Sequence, residues 1–278
     1  MADSQSIIEL GRWLRTPAGR YLLTWEQERV DLAVADTFGY HALQLGLPEL
    51  DALGANRMPH RWLASDLPPG LEADMADEDA PRSALRCDFD ALPFPSNSLD
   101  LVVLPHALEL ARDPHLTLRE VERVLMPEGR VVICGFNPAS LWGLRQRAGR
   151  AGQQLGLGRA SGLYLPRAGD FIGYWRLRDW LRLLGFEVEA GRFGCYRPPF
   201  RSQRWLERLG WMERAGDRWW PVLGAVYFLV AVKRVRGMRL VGLARRERRL
   251  APAIAPAAVA HSHAAARESH RDTAETDA

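Results

Sequence analysis

Residues 85–136 constrain this chain more than any other stretch, because two apolar runs of strand character are joined there by a capped amphipathic helix. Residues 99–105 are short and almost wholly aliphatic, as in a parallel strand buried on both faces. Asp113-Pro114 supplies a helix N-cap with proline at the first helical position. Beyond it Leu118, Val121 and Val124 or Leu125 recur at helical spacing, and Arg119, Glu120, Glu122 and Arg123 fall elsewhere on the wheel. Met126-Pro127-Glu128-Gly129 ends the helix; proline at the second place and glycine at the fourth suit a type I turn. The turn leads into 130–136, a second buried strand. Strand, helix and strand in this order make a right-handed crossover, half of an α/β sheet.

The flanking segments extend that sheet. Residues 20–38 carry Leu22, Leu23, Trp25, Val30, Leu32, Val34 and Phe38 among polar neighbours, which predicts one or two lid-like helices ahead of the sheet, ended by Gly39. Residues 41–47 then read as the first strand, 61–65 as the second with Asp66 at its end, and 85–87 as the third before Asp88. Residues 137–167, rich in glycine and arginine, read as a long connection. Residues 176–184 return to helix with Gly185 as the C-cap, and 186–189 and 225–233 read as two further strands. The expected domains are a helical segment over 1–38, a sheet domain over 39–236 with insertions at about 137–170 and 190–224, and a tail over 237–278. That tail is basic, then alanine-rich, and is expected to lack a fixed fold.

With 278 residues, 47% of them hydrophobic, the chain can bury one sizeable core. A net charge of +3 is too mild to argue for a nucleic-acid partner, although basic residues gather over 192–208 and 233–249. A solvated arginine-rich surface is the favoured reading of those two stretches. Cys87, Cys134 and Cys195 have no paired spacing, so neither a disulfide framework nor a metal site is expected, and His261, His263 and His270 lie in the tail. Residues 1–14 carry Asp3 and Glu9 and no signal-peptide run, and 219–232 is broken by Pro221 and Gly224. It is also shorter than the ~20 residues a membrane helix needs, so a cytoplasmic chain without a membrane span is expected.

Asp88, then Leu92-Pro93-Phe94, Asn97-Ser98-Leu99-Asp100, Leu108-Glu109 and Arg123-Val124-Leu125-Met126-Pro127-Glu128-Gly129 resemble, in order and spacing, the small-molecule (type 11) branch of the class I S-adenosylmethionine-dependent methyltransferases. The resemblance implies an α/β fold: a Rossmann-like, seven-stranded, mostly parallel sheet with an antiparallel edge hairpin and helices on both faces. It also implies S-adenosylmethionine as cofactor and a small or lipid-like molecule as methyl acceptor. Asp88 matches the family position whose carboxylate faces the adenine amino group, with Phe89 following it against the ring. Asp66, ~20 residues past the first glycine loop, sits where such sheets place the ribose carboxylate, and equally suits a cap of its own loop.

The loop after the first strand departs from the family. Its members carry an acid in the strand and then alternating glycines that let the backbone approach the methionine moiety. Here the run is Leu43-Gln44-Leu45-Gly46-Leu47-Pro48-Glu49-Leu50, in which Gly46 remains, Gln44 replaces the acid, Pro48 lacks an NH and Leu50 adds bulk. Asp36, before Gly39, is a second acid near a glycine, but its spacing to Asp66 is too long. Gln44 and Gly46 are therefore expected at the cofactor together with Asp66, Asp88 and Phe89.

Methyl transfer from a sulfonium is an in-line displacement that proximity and desolvation can drive, so no base is obligatory. If there is one, His106 directly after the fourth strand is the candidate proton acceptor. Glu109, Asn137 and Trp142 follow as candidate substrate contacts; Asn137 also suits an Asx turn before Pro138. Two other functions remain open: a methyltransferase-like binding or regulatory protein without catalysis, given the altered loop, and an RNA-directed methyltransferase using the arginine-rich stretches.

Overall fold

The computed structural model describes residues 4–66, 84–154, 163–166 and 171–234, with side chains from Ile7 onward. Seven strands, β1 (His41–Leu45), β2 (His60–Ser65), β3 (Leu85–Arg86), β4 (Leu99–Pro105), β5 (Leu125–Phe136), β6 (Phe186–Gly194) and β7 (Val226–Lys233), form one sheet in the order β3-β2-β1-β4-β5-β7-β6. Strands β1 to β5 are parallel, and β7 runs antiparallel to both β5 and β6. The expected α/β architecture with its antiparallel edge is the observed one.

Alternation along the strands divides the core into two layers. Ala42, Leu101, Val103, Val132, Cys134 and Val230 face one side, packed with residues of α1 (Ser4–Leu14), α2 (Pro17–Ala35) and α5 (Leu141–Gln154). Leu43, Val102, Leu104, Val131, Ile133 and Leu229 face the other, against α4 (Pro114–Val124) and α6 (Tyr174–Leu183). A one-residue register slip would exchange the two sets, so the pattern itself fixes the pairing.

Helix α4 begins as expected: the Asp113 carboxylate accepts the His115 and Leu116 NH groups, with Pro114 at the first helical position. Arg123 on this helix donates to the Leu92 and Phe94 carbonyls while Glu120 accepts the Leu92 NH. The Leu92-Pro93-Phe94 segment is thereby tied to α4.

Several boundaries differ. Strand β5 starts at Leu125, not Arg130, with a register shift where Leu99 pairs with Leu125 and Leu101 with Arg130. Glu128 has φ +65° at the third place of the turn, the sign a type II turn requires and a type I turn excludes. Helix α2 ends at Ala35, four residues before Gly39, whose missing Cβ instead makes room for Asp100. Asp100 then accepts the Tyr40 and His41 NH groups at the head of β1. The connection expected from 137 onward contains the 14-residue α5, because Trp142, Gly143 and Gln146 give it a buried stripe that composition obscured. Strand β6 runs to Gly194, and the insertion after it folds as α7 (Gln203–Arg208), α8 (Trp211–Trp219) and a short turn over Pro221–Leu223. The tail lies outside the described residues.

Candidate active site

The chain leaves β1 toward β2 on one side and returns through β4 on the other, so the order of the sheet reverses between β1 and β4. Open α/β sheets bind ligands at the carboxyl ends of the strands beside such a reversal. His106 follows β4 directly, in left-handed backbone at φ +53°, its NH donated to the Cys134 carbonyl at the end of β5. That backbone turns the imidazole into the protein, where it has no exposed surface.

Both ring nitrogens meet carboxylates. Nδ1 lies 2.8 Å from Glu109 on α3 (Ala107–Leu110), and Nε2 lies 3.0 Å from Glu26 Oε1 on α2. Burial opposes a charge on the ring, but the Glu26 charge and the hydrogen bonds the ring donates to Glu109 and Glu26 outweigh it and push the imidazole up to about 10. The ring is therefore an imidazolium at neutral pH, donating on both sides. Burial pushes the Glu109 carboxyl upward, against the pull of His106 and of the Phe136 NH that its second oxygen accepts. Glu26 Oε2 has no hydrogen-bond partner although the residue is wholly buried. A buried acceptor without a protein partner is accounted for by an ordered water, a donor or a cation beside it.

Helix α2 also reaches the loop after β1. Gln27, next to Glu26, donates to the Asp51 carbonyl. Residues 46–59 form turns rather than a crossover helix, and Gln44 holds them together: its amide nitrogen donates to the Gly46, Leu47 and Leu50 carbonyls, and its oxygen accepts the Ala52 NH. Leu47 and Leu50 are buried in the core beneath α2. Every polar group of Gln44 is thus engaged within its own loop, and no helix N-terminus faces the crevice here.

Gly46, at φ +75°, carries no side chain and has the Phe89 ring 3.6 Å from where a Cβ would stand. Asp66 at the end of β2 and Asp88 after β3 flank Cys87, whose thiol is pushed up to about 11 by burial and by these two carboxylates. The structure therefore places Gly46 beside Phe89 and Asp66 and Asp88 beside Cys87, after β1, β2 and β3, while His106 and Glu109 lie buried after β4. Asn137 and Trp142 are engaged elsewhere. The Asn137 side chain donates to the Val222 and Gly224 carbonyls and accepts the Ala139 NH, while the Trp142 indole donates to the Arg197 carbonyl and packs edge-on against Trp13 and Tyr164.

Glu26 escaped the sequence reading, yet it left a signal. Leu22, Glu26 and Val30 share one stripe of α2 at a spacing of four, so a carboxylate stands in line with core residues.

The residues present match the polarity of S-adenosylmethionine. The nucleoside would find two carboxylates, an aromatic ring and a bare glycine, and the cationic end would find the open oxygen of Glu26 in place of the acid absent from β1.

Known proteins share parts of this sequence and its fold. Residues 49–133 match the sequence model of the Methyltransf_11 methyltransferase domain. The uncharacterized protein YafS of Escherichia coli (strain K12) is 36% identical over 147 residues, 51% of this chain and 52% of YafS. A malonyl-[acyl-carrier protein] O-methyltransferase of Halorhodospira halophila is 42% identical over 67 residues, 24% of this chain and 23% of that protein. The chain therefore spans about half or less of the length of these relatives. A solved S-adenosylmethionine-dependent methyltransferase from Mesorhizobium loti shares the fold with a TM-score of 0.50 at 17% identity, covering 74% of this chain and 96% of that one. Residues 49–133 thus resemble a type 11 methyltransferase domain, and the sheet that carries them has the fold of a solved S-adenosylmethionine-dependent methyltransferase.

Proposed function

We propose that the protein transfers a methyl group from S-adenosylmethionine to a small or lipid-like acceptor at the carboxyl ends of β1 and β4. The observation that carries this reading is the buried Glu26–His106–Glu109 assembly with one carboxylate oxygen left open. When bound, the cofactor supplies an activated methyl on a sulfonium. Asp66 and Asp88 would accept hydroxyl and amino protons of the nucleoside, Phe89 would lie against its ring, and Gly46 would allow close approach of the backbone. Glu26 would hold a cation or accept the acceptor's proton at Oε2. His106, already protonated, fixes Glu26 from Oε1, and Glu109 fixes His106. Gln44 keeps the loop closed rather than touching the ligand.

The name of the Halorhodospira halophila relative describes methylation of a malonyl group carried on an acyl carrier protein, which supports an acyl or lipid-like acceptor here. The turn-built loop of residues 46–59 favours one competing reading, a binding protein without transfer. Methyl-labelled S-adenosylmethionine, incubated with the protein and a small-molecule and lipid extract, separates the two. Label entering an acceptor, and lost in Glu26→Gln, supports transfer. Unlabelled extract beside intact cofactor binding supports the binding protein.

A further inference from the structure

The insertion between β6 and β7 carries the most unusual surface among the described residues. Gly194 pairs with Val226, which also pairs with Phe136 near the end of β4, so the insertion leaves the same end of the sheet as His106 does. It is firmly attached on its inner side: Glu213 accepts the Cys195 and Tyr196 NH groups and the Tyr21 hydroxyl, and Leu206 is buried. A Cβ on Gly216 would stand 2.2 Å from the Tyr196 ring, so α8 lies with this glycine pressed against the domain.

The outer side follows from that contact. Trp211, Arg214 and Arg218 fall on the face of α8 opposite Gly216 and are exposed. Helix α7 adds Trp205, with the Arg208 guanidinium 5.6 Å from its ring centre. From the last residue of α8 onward the chain presents Trp219 at 70% exposure, Trp220 at 54%, Val222 at 43% and Leu223 at 46% within five residues. Asn137 fixes that turn by donating to the Val222 and Gly224 carbonyls.

Large apolar side chains held outward on a rigid base are costly in water, since each indole carries an apolar area of about 150–250 Å². Interleaved with arginines, they have the composition of the boundary between lipid headgroups and acyl chains, where indoles sit at headgroup level and basic side chains reach anionic phosphates. Stacking of single-stranded RNA would use the indoles and arginines, but it gives Val222 and Leu223 no partner. Among the described residues no helix is long and apolar enough to cross a membrane. We propose that this face docks the protein peripherally on an anionic lipid surface, with the 219–223 turn inserted among the headgroups and the arginines of α7 and α8 on the phosphates.

The docking does not depend on methyl transfer and is tested without it. The full chain is floated with vesicles of phosphatidylcholine alone or mixed with phosphatidylglycerol, alongside Trp219→Ser/Trp220→Ser and Arg214→Glu/Arg218→Glu. Circular dichroism checks that each variant is folded, as expected for exposed positions. The proposal expects binding to the mixed vesicles that falls with salt, a blue shift of tryptophan emission, and partitioning about tenfold weaker or more in either variant. It is overturned if the wild type stays unbound, binds neutral vesicles equally well, or binds as the variants do. It is equally overturned if oligouridylate binds this face, with loss in the same variants, while vesicles do not.

Discussion

His106 occupies left-handed backbone, which costs a non-glycine residue about 1–3 kcal/mol, and it persists because both ring nitrogens and the backbone NH are engaged. Its place at the end of β4 was legible, since the crossover unit fixes where that strand stops, and Glu109 followed one helical turn later. Glu26 stands 80 residues away and only the fold joins them. An imidazole lying between two carboxylates already holds a proton, so in the proposed reaction the open carboxylate oxygen of Glu26, not His106, would accept one. Glu26→Gln keeps the shape and the contact to His106 but removes that charge, and methyl transfer should fall about 100-fold with the thermal midpoint nearly retained. His106→Leu should instead leave two buried carboxylates unpaired and destabilise the fold by about 3–5 kcal/mol, read by denaturant unfolding.

Among the elements, α4 was the most legible, because its cap, its stripe and its turn lie within twenty residues of sequence. Helix α5 was hidden by its arginines and glycines, as only Trp142, Gly143 and Gln146 face the interior. The loop after β1 was legible as a departure from the family but not in its consequence, which depends on one side chain reaching four backbone groups. Restoring an acid there would not restore a glycine loop. Gln44→Glu would point a carboxylate at three carbonyl oxygens, so it should destabilise the protein by about 3 kcal/mol and weaken rather than improve cofactor binding. A lower denaturation midpoint together with a weaker titration is the expected pair of results.

For the molecule as a whole, strand order, the antiparallel edge and helices on both faces were legible, because alternating apolar residues can satisfy only one register. Helices ahead of the sheet were legible as a lid-like segment, but not that α1 and α2 bury their apolar stripes on one face of the sheet, since nothing local to those helices names the surface they cover. That packing gives the chain a characteristic pH response. The folded state holds a proton on His106 up to about pH 10, whereas an ordinary imidazole releases it near 6.5. The stabilisation is fully present below about pH 6.5 and is lost as pH rises through the folded value. The thermal midpoint should fall between about pH 7 and pH 10, and His106→Gln should flatten that slope. The protein is expected to bind S-adenosylmethionine despite its altered loop, and calorimetric titration of the full chain decides this. Saturable heat, lost in Asp88→Ala and reduced in Glu26→Gln, is the predicted result; a folded protein that gives no heat with either S-adenosylmethionine or S-adenosylhomocysteine would contradict it.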